Sequence, residues 1–252
     1  MWRHGAAYLL TLPVSLSIVF ELSHTIIAAP ASLITLLRQE PSQLQKKHSS
    51  ITMAATSEGI TLSLPSKYGS SPPAATSAPT LEWLATTWTV THSTLSMWRS
   101  ARNVRITYNR LPANSNGVAR LDDLVEYEPS NKEGVLKSVM GIDTQAPGGS
   151  ACSWNWRGKG MLLMITSHWE VLGWGEATTA EGVKERWAVT WFAPTLFTSE
   201  GLDVYCDREE GLSAETYTAV LKALGALGTA SLVAMVEKDM KPVEIRLPRV
   251  AA

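Results

Sequence analysis

Two cysteines, three phenylalanines and a charged fraction of 18% are what this chain of 252 residues has least of, and its formal net charge is only −1. Each scarcity excludes something. Two thiols do not make a disulfide-dense scaffold; Cys152 and Cys206 either pair in an oxidising compartment or remain ordinary thiols in a reducing one. Near-neutral charge with scattered Lys and Arg leaves no electrostatic footprint for nucleic acid. No Asn-x-Ser/Thr sequon occurs. A P-loop, a dinucleotide glycine fingerprint and a G-x-S-x-G elbow are missing, and the histidines lack zinc-ligand spacing, so no cofactor and no metal are expected.

Tryptophan is abundant instead. Nine of the ten indoles fall between Trp83 and Trp191. An indole brings a large apolar surface and one N–H that needs a partner when buried. Spread over several strands, such rings line a core or a cavity fit for a flat hydrophobic ligand.

The first 80 residues differ in kind. The apolar run 6–20 has the length of a signal-peptide core, and Ala29-Pro30-Ala31 offers small residues for cleavage. A membrane-spanning helix needs about 20 apolar residues; continuing through residue 37 supplies them, interrupted by Glu21, His24 and Pro30. Residues 1–52 thus read as a signal- or anchor-like segment, with membrane association through residues 6–37, or as sequence outside the working protein if Met53 is its start. The compartment follows that choice: secretory or membrane-associated in the first case, cytoplasmic in the second. Residues 53–80, rich in Ser, Pro, Ala and Thr, read as a flexible linker.

From residue 81 to 252 the pattern is that of a strand-rich domain. Alternating runs occupy 87–91, 104–108, 121–127, 135–142, 161–166, 169–174, 187–192 and 202–206, separated by Gly-, Pro- and Asn-containing turns. Eight strands at this spacing, with no helix between them, predict a mainly β protein. The expected architecture is an eight-stranded antiparallel up-and-down barrel with room for a ligand. Ser213 is placed to cap a C-terminal helix whose stripe is Tyr217, Val220, Leu221 and Leu224; Gly225 and Gly228 end it. An apolar stretch, 230–236, and extended VEIRL follow.

Thr86-Thr87-Trp88 at the first strand and Arg208 just after the last resemble the lipocalin pair in which Gly-x-Trp is stacked on by an Arg at the barrel floor, with Thr86 standing where the family has Gly. Asp203-Val204-Tyr205 resembles the family's Thr-Asp-Tyr element loosely and lies on a different strand. The resemblance spans about 81–248. The run 84–108, with SHWEVLGWGE and AVTWFAPTLFT, is most similar to lipocalin-like proteins of filamentous fungi. It implies a barrel closed by Trp88 and Arg208 that carries a hydrophobic small molecule, or an isomerase or cyclase.

Four polar residues are candidates for chemistry. His92, two beyond Val90 and four beyond Trp88, either shares their inward face as a proton donor or acceptor or caps the strand end. Tyr108 follows Val104 and Ile106, and reaches a ligand oxygen or packs at the rim. One of Asp122 and Asp123 must face inward in a regular strand; Asp123, desolvated there, becomes a general base, unless both sit at a solvated rim. Arg157, beside Trp154 and Trp156, either completes an aromatic clamp for a ligand carboxylate or enolate or simply packs. Trp154, Trp156, Trp174, Trp187 and Trp191 are the candidate ligand-facing indoles. His168 and Glu170 form a proton-shuttling pair or a solvated hairpin end. Two functions remain open: a carrier of a hydrophobic metabolite or lipid, and a cofactor-independent isomerase or cyclase acting on a polyketide- or terpene-type intermediate.

Overall fold

A computed structural model describes residues 59–69, 78–147, 152–196 and 198–251; the segment 1–52, with its signal and membrane readings, lies outside them. Eight strands run in sequence order: β1 (Thr87–Ser93), β2 (Ala101–Leu111), β3 (Arg120–Pro129), β4 (Lys137–Gln145), β5 (Ser153–Gly158), β6 (Thr166–Thr178), β7 (Lys184–Phe192) and β8 (Gly201–Cys206). Each pairs antiparallel with the next, and β1 pairs with both β2 and β8, so the sheet closes on itself and leaves none of the eight as an edge. This is the up-and-down barrel expected from the alternation.

One strand is displaced from its expected place. The apolar run 161–166 holds a short 3-10 turn, Gly160–Leu162, and β5 is instead Ser153–Gly158, the segment read as a clamp. Met161 and Met164 are exposed. Apolar residues without a partner strand do not make a strand.

Alternation sorts the side chains into two cores. Inward go Trp88, Val90, Ile106, Tyr108, Leu121, Trp154, Trp169, Val171, Ala188 and Tyr205. Outward from β6–β8 go Leu172, Trp187, Val189, Trp191, Leu202 and Val204, which two helices cover. Helix α2 (Ala214–Gly225) begins at Ser213, whose side chain accepts from Thr216 N–H, and buries Thr216, Val220 and Leu224 along one stripe; Leu221 is exposed. The stretch 230–236, expected as an apolar tail, is a second helix, α3 (Ala230–Asp239), with Leu232 and Val236 buried one turn apart. A two-residue strand β9 (Lys241–Pro242) then pairs with β1. The tail beyond it ties to β2 and β3: Asn103 N–H donates to Glu244 O at 2.8 Å and Val250 N–H to Glu128 Oε1 at 3.0 Å.

Residues 59–69 do not behave as a free linker. Ile60, Leu62 and Leu64 pack into the outer core, and Ser63 N–H donates to Leu172 O at 2.7 Å. Ser66 donates through N–H (2.9 Å) and hydroxyl to Glu170, and Tyr68 OH to Glu200 at 2.9 Å. Gly173 makes room for this strap, since a Cβ there would lie 2.4 Å from Leu62.

Three bulges re-aim side chains, between Val90 and His92, Arg102 and Arg105, and Val171 and Gly173. A one-residue slip reverses every side chain beyond it, and two of these bulges decide what faces the lumen.

Candidate lumenal site

The barrel floor is built by α1 (Leu81–Leu84), a single turn capped by Thr80, whose Leu84 carbonyl accepts the Trp88 indole N–H at 2.9 Å. Trp83 packs on both Trp88 and Trp174, with ring centroids 4.8 Å apart in each pair. The guanidinium over these rings belongs to Arg186, at 5.4 Å from the Trp88 ring and 5.5 Å from that of Trp83. Arg208, expected in that position, instead reaches Glu185 (3.4 Å) and Glu210 (3.6 Å) outside the floor. Asp207 explains the exchange: it accepts from Arg186 Nε at 2.7 Å and from Arg186 N–H at 2.8 Å, and so holds that guanidinium in place.

Above the floor the lumen carries a stack of rings. Tyr108 lies parallel to Trp169 at 5.5 Å, and Trp169 to Trp154 at 6.0 Å. Tyr108 is thus interior rather than at a rim. Of the five candidate indoles, Trp154, Trp156 and Trp174 pack with the lumenal core, and Trp174 gets there through the Val171/Gly173 bulge. Trp187 and Trp191 point to the opposite face and pack in the outer core, so they do not line the lumen. Trp191 donates its indole N–H to Glu200 at 2.7 Å.

His92 is also outside. The bulge between Val90 and His92 turns it away from the Trp88 face, and its ring stacks on Tyr217 of α2 at 3.5 Å. Burial there pulls the imidazole down to about 4. Arg157 is exposed on the outer wall, with its Nη1–H donating to Leu163 O at 3.3 Å. It borders a recess of about 830 Å³ lined also by Ile142, Asn155, Trp156 and His168. His168 and Glu170 share that outer wall, 3.1 Å apart.

Asp123 faces inward and Asp122 outward to Lys159. Its closest charged neighbour is a residue that the sequence reading missed. Asp143 on β4 is fully buried and accepts the Trp169 indole N–H at 2.7 Å. Burial, then the facing Asp143, lift the Asp123 carboxyl well above its ordinary range, and burial lifts Asp143 to about 7 against the Trp169 hydrogen bond. Tyr108 and Tyr205 are the phenols beside Asp123, both raised chiefly by burial. A third buried acid, Asp203, accepts from the Ser93 hydroxyl, and burial raises it to about 7.

Gly141 explains how an indole comes to lie by this pair. It is the register partner of Asp123, while Trp156 is that of Asp143. A Cβ on Gly141 would stand 2.0 Å from Trp156 Nε1. Gly141→Ala is therefore expected to push the Trp156 ring outward and to cost about 1–3 kcal/mol. Acrylamide quenching of the variant should rise, and it should not rise in Gly141→Ala/Trp156→Phe.

Neither Cys152 nor Cys206 is in a disulfide, and burial pushes the Cys206 thiol up to about 12. Among the described residues no cluster of His, Cys, Asp and Glu is arranged to hold a metal, and no helix is long and apolar enough to cross a membrane. No protein-family model and no curated protein matches the chain. Among solved structures it is similar to apocrustacyanin C1, at 11% identity and a TM-score of 0.44 over 66% of this chain and 79% of that one. It is also similar to lobster apocrustacyanin A1, at 11% identity and a TM-score of 0.38 over 65% and 78%. The chain's own strand pairing establishes what it is: a closed, eight-stranded, antiparallel up-and-down β-barrel flanked by C-terminal helices.

Proposed function

We propose that the barrel binds a small, largely apolar molecule in its lumen and orients it by one oxygen-bearing group. One observation carries this reading. Among stacked aromatic rings, the Trp154 indole N–H has no hydrogen-bond partner in the protein, and the buried Asp123 and Asp143 carboxyls and the Tyr205 and Thr190 hydroxyls lie against one another. A core selected only for stability pairs such an N–H, because each unpaired one costs about 1–3 kcal/mol. Aromatic walls with a few convergent polar groups are the usual make-up of a small-molecule site. The likeness of residues 84–108 to barrels of filamentous fungi makes a secondary metabolite or a lipid the ligand class to try first.

The test is equilibrium binding of a panel of such molecules. Tyr205→Phe removes one hydroxyl from the lumen and is expected to weaken binding up to about tenfold, the worth of one hydrogen bond. Trp187→Phe, on the outer wall, should leave affinity unchanged. Binding that is insensitive to Tyr205→Phe and Trp154→Phe but lost on changing Trp187 or Trp191 would place the ligand outside the barrel and end this reading.

A further inference from the structure

We infer that the recess over β3–β6 is a second binding site, for a single-chain amphiphile with a carboxylate or phosphate head and an apolar tail. It goes beyond the lumenal reading and does not depend on it.

Strand register assembles the site. Arg120, Thr144, Asn155 and His168 are successive cross-strand partners on β3, β4, β5 and β6, so they stand in one row across the outward face. Ile142, Arg157 and Thr166 form the next row, two residues along each strand. The stretch after β7 makes a wall beside them. Its Ala193 N–H donates to His168 O at 2.9 Å, and Pro194 and Leu196 border the space. The recess so enclosed holds about 830 Å³, which is the size of a small-molecule site.

Charge decides what fits there. The lining has two arginines and no carboxylate. Neither Arg120 nor Arg157 makes an ion pair with a described residue. Arg157 gives one N–H to Leu163 O at 3.3 Å, which sets its direction. The outward acids nearest the recess are already engaged, Asp122 by Lys159 and Glu170 by Ser66 and His168. One strand separates Arg120 from Arg157, so they stand about 10 Å apart across the sheet, and two long side chains can close on one anion from that spacing. The guanidinium fork matches both carboxylate and phosphate oxygens.

The rest of the lining asks for more than a bare anion. Ile142, Trp156, Ile165 and Leu196 are apolar, and Leu196 is 95% exposed. The turn that Arg157 holds through Leu163 O leaves Met161 and Met164 exposed alongside. An alkyl chain running out from an anionic head would cover this surface, and the gain grows with the apolar area removed from water.

Calorimetric titration of the intact chain with dodecanoate and dodecyl phosphate tests the site, with dodecanol and inorganic phosphate as tail and head alone. Both acids are expected to bind at least about tenfold more tightly than either part. Arg120→Gln and Arg157→Gln should each lower acid affinity about tenfold or more, the worth of a charged hydrogen bond. Leu196→Ser should weaken dodecanoate more than hexanoate. Arg110→Gln, on β2 and paired with Glu82, should change nothing. Dodecanol binding as well as dodecanoate, or acid affinity kept when both recess arginines are glutamine, overturns the inference. Acid affinity lost in Tyr205→Phe and Trp154→Phe but kept in the arginine variants puts the acid in the lumen, which overturns this site and supports the other. Vesicles of phosphatidylcholine with and without phosphatidate separate a free amphiphile from a membrane lipid. Retention on the phosphatidate vesicles, with neither free acid bound, would make the face a membrane contact and end the proposal.

Discussion

Raising the pH from 4 to 8 is expected to weaken this fold, and Asp203→Asn to recover a large share of the loss. Asp203 is 1% exposed, and burial raises its carboxyl from the ordinary 3.8 to about 7 in the folded protein. Below pH 4 both folded and unfolded chains hold the proton, and its burial costs nothing in linkage. Between about 4 and 7 the unfolded chain ionises while the folded one does not, so stability falls by about 4 kcal/mol before levelling off. Asp143 adds a loss in the same window, and Asp123 extends it upward. His92 acts in the opposite sense: its folded value of about 4 lies below 6.5, so stability gained from it is lost as pH falls through that interval. Its partial exposure makes that the smaller effect. Asp203→Asn keeps an acceptor for the Ser93 hydroxyl and cannot ionise. Unfolding free energies from urea titration should match the parent at pH 4 and exceed it by about 2–4 kcal/mol at pH 8. A parent whose midpoint climbs from pH 4 to 8, with no gain in the variant, would show that Asp203 is ionised in the fold.

Trp88→Ala is the substitution expected to cost most by packing. Trp88 is 0% exposed, donates to Leu84 O, and supports both Trp83 and Arg186. Removing a buried indole of this kind costs about 3–5 kcal/mol, a large part of a typical domain's stability. Arg186→Ala tests the same floor through its cation–π contacts and should cost about 0.5–2 kcal/mol from those contacts alone. Guanidinium chloride denaturation of the two variants should rank them in that order. Equal, negligible losses would mean that the floor bears no load.

The alternation of small runs such as VRITY and TWTVT made most of the barrel legible, because a strand half-buried on one side must alternate. Where burial is not one-sided the signal fails. MLLMIT is largely apolar and looks like a strand, yet most of it forms the turn between β5 and β6, and only its last residue, Thr166, pairs as strand. SWNWRG looks like a clamp because its two indoles draw attention away from an ordinary period of two. Bulges leave no mark in a single sequence, so strict alternation from Trp88 puts His92 on the inward face, and alternation along β6 separates Trp174 from Trp169 when the two share a face. Arg186 and Arg208 are separated by nothing that spacing reports; Asp207 chooses between them in three dimensions. Asp143 was missed for a related reason. The aspartate of GIDTQ, near the end of β4, resembles any strand terminus until the barrel closes around it.

The order in which the barrel is held together runs against the order in which it is made. β1 must wait for β8 before it has its second neighbour, and Glu128 on β3 must wait for Val250. The strap at 59–69, synthesised before any strand of the barrel, rests on Leu172 and Glu170 of a strand made much later. Contacts this distant in sequence slow folding. On the ribosome, the nascent chain therefore emerges with its indoles uncovered and cannot close the barrel until β8 is free to pair with β1. Until then, aromatic-rich β1, β5 and β6 would be the surfaces that chaperones meet.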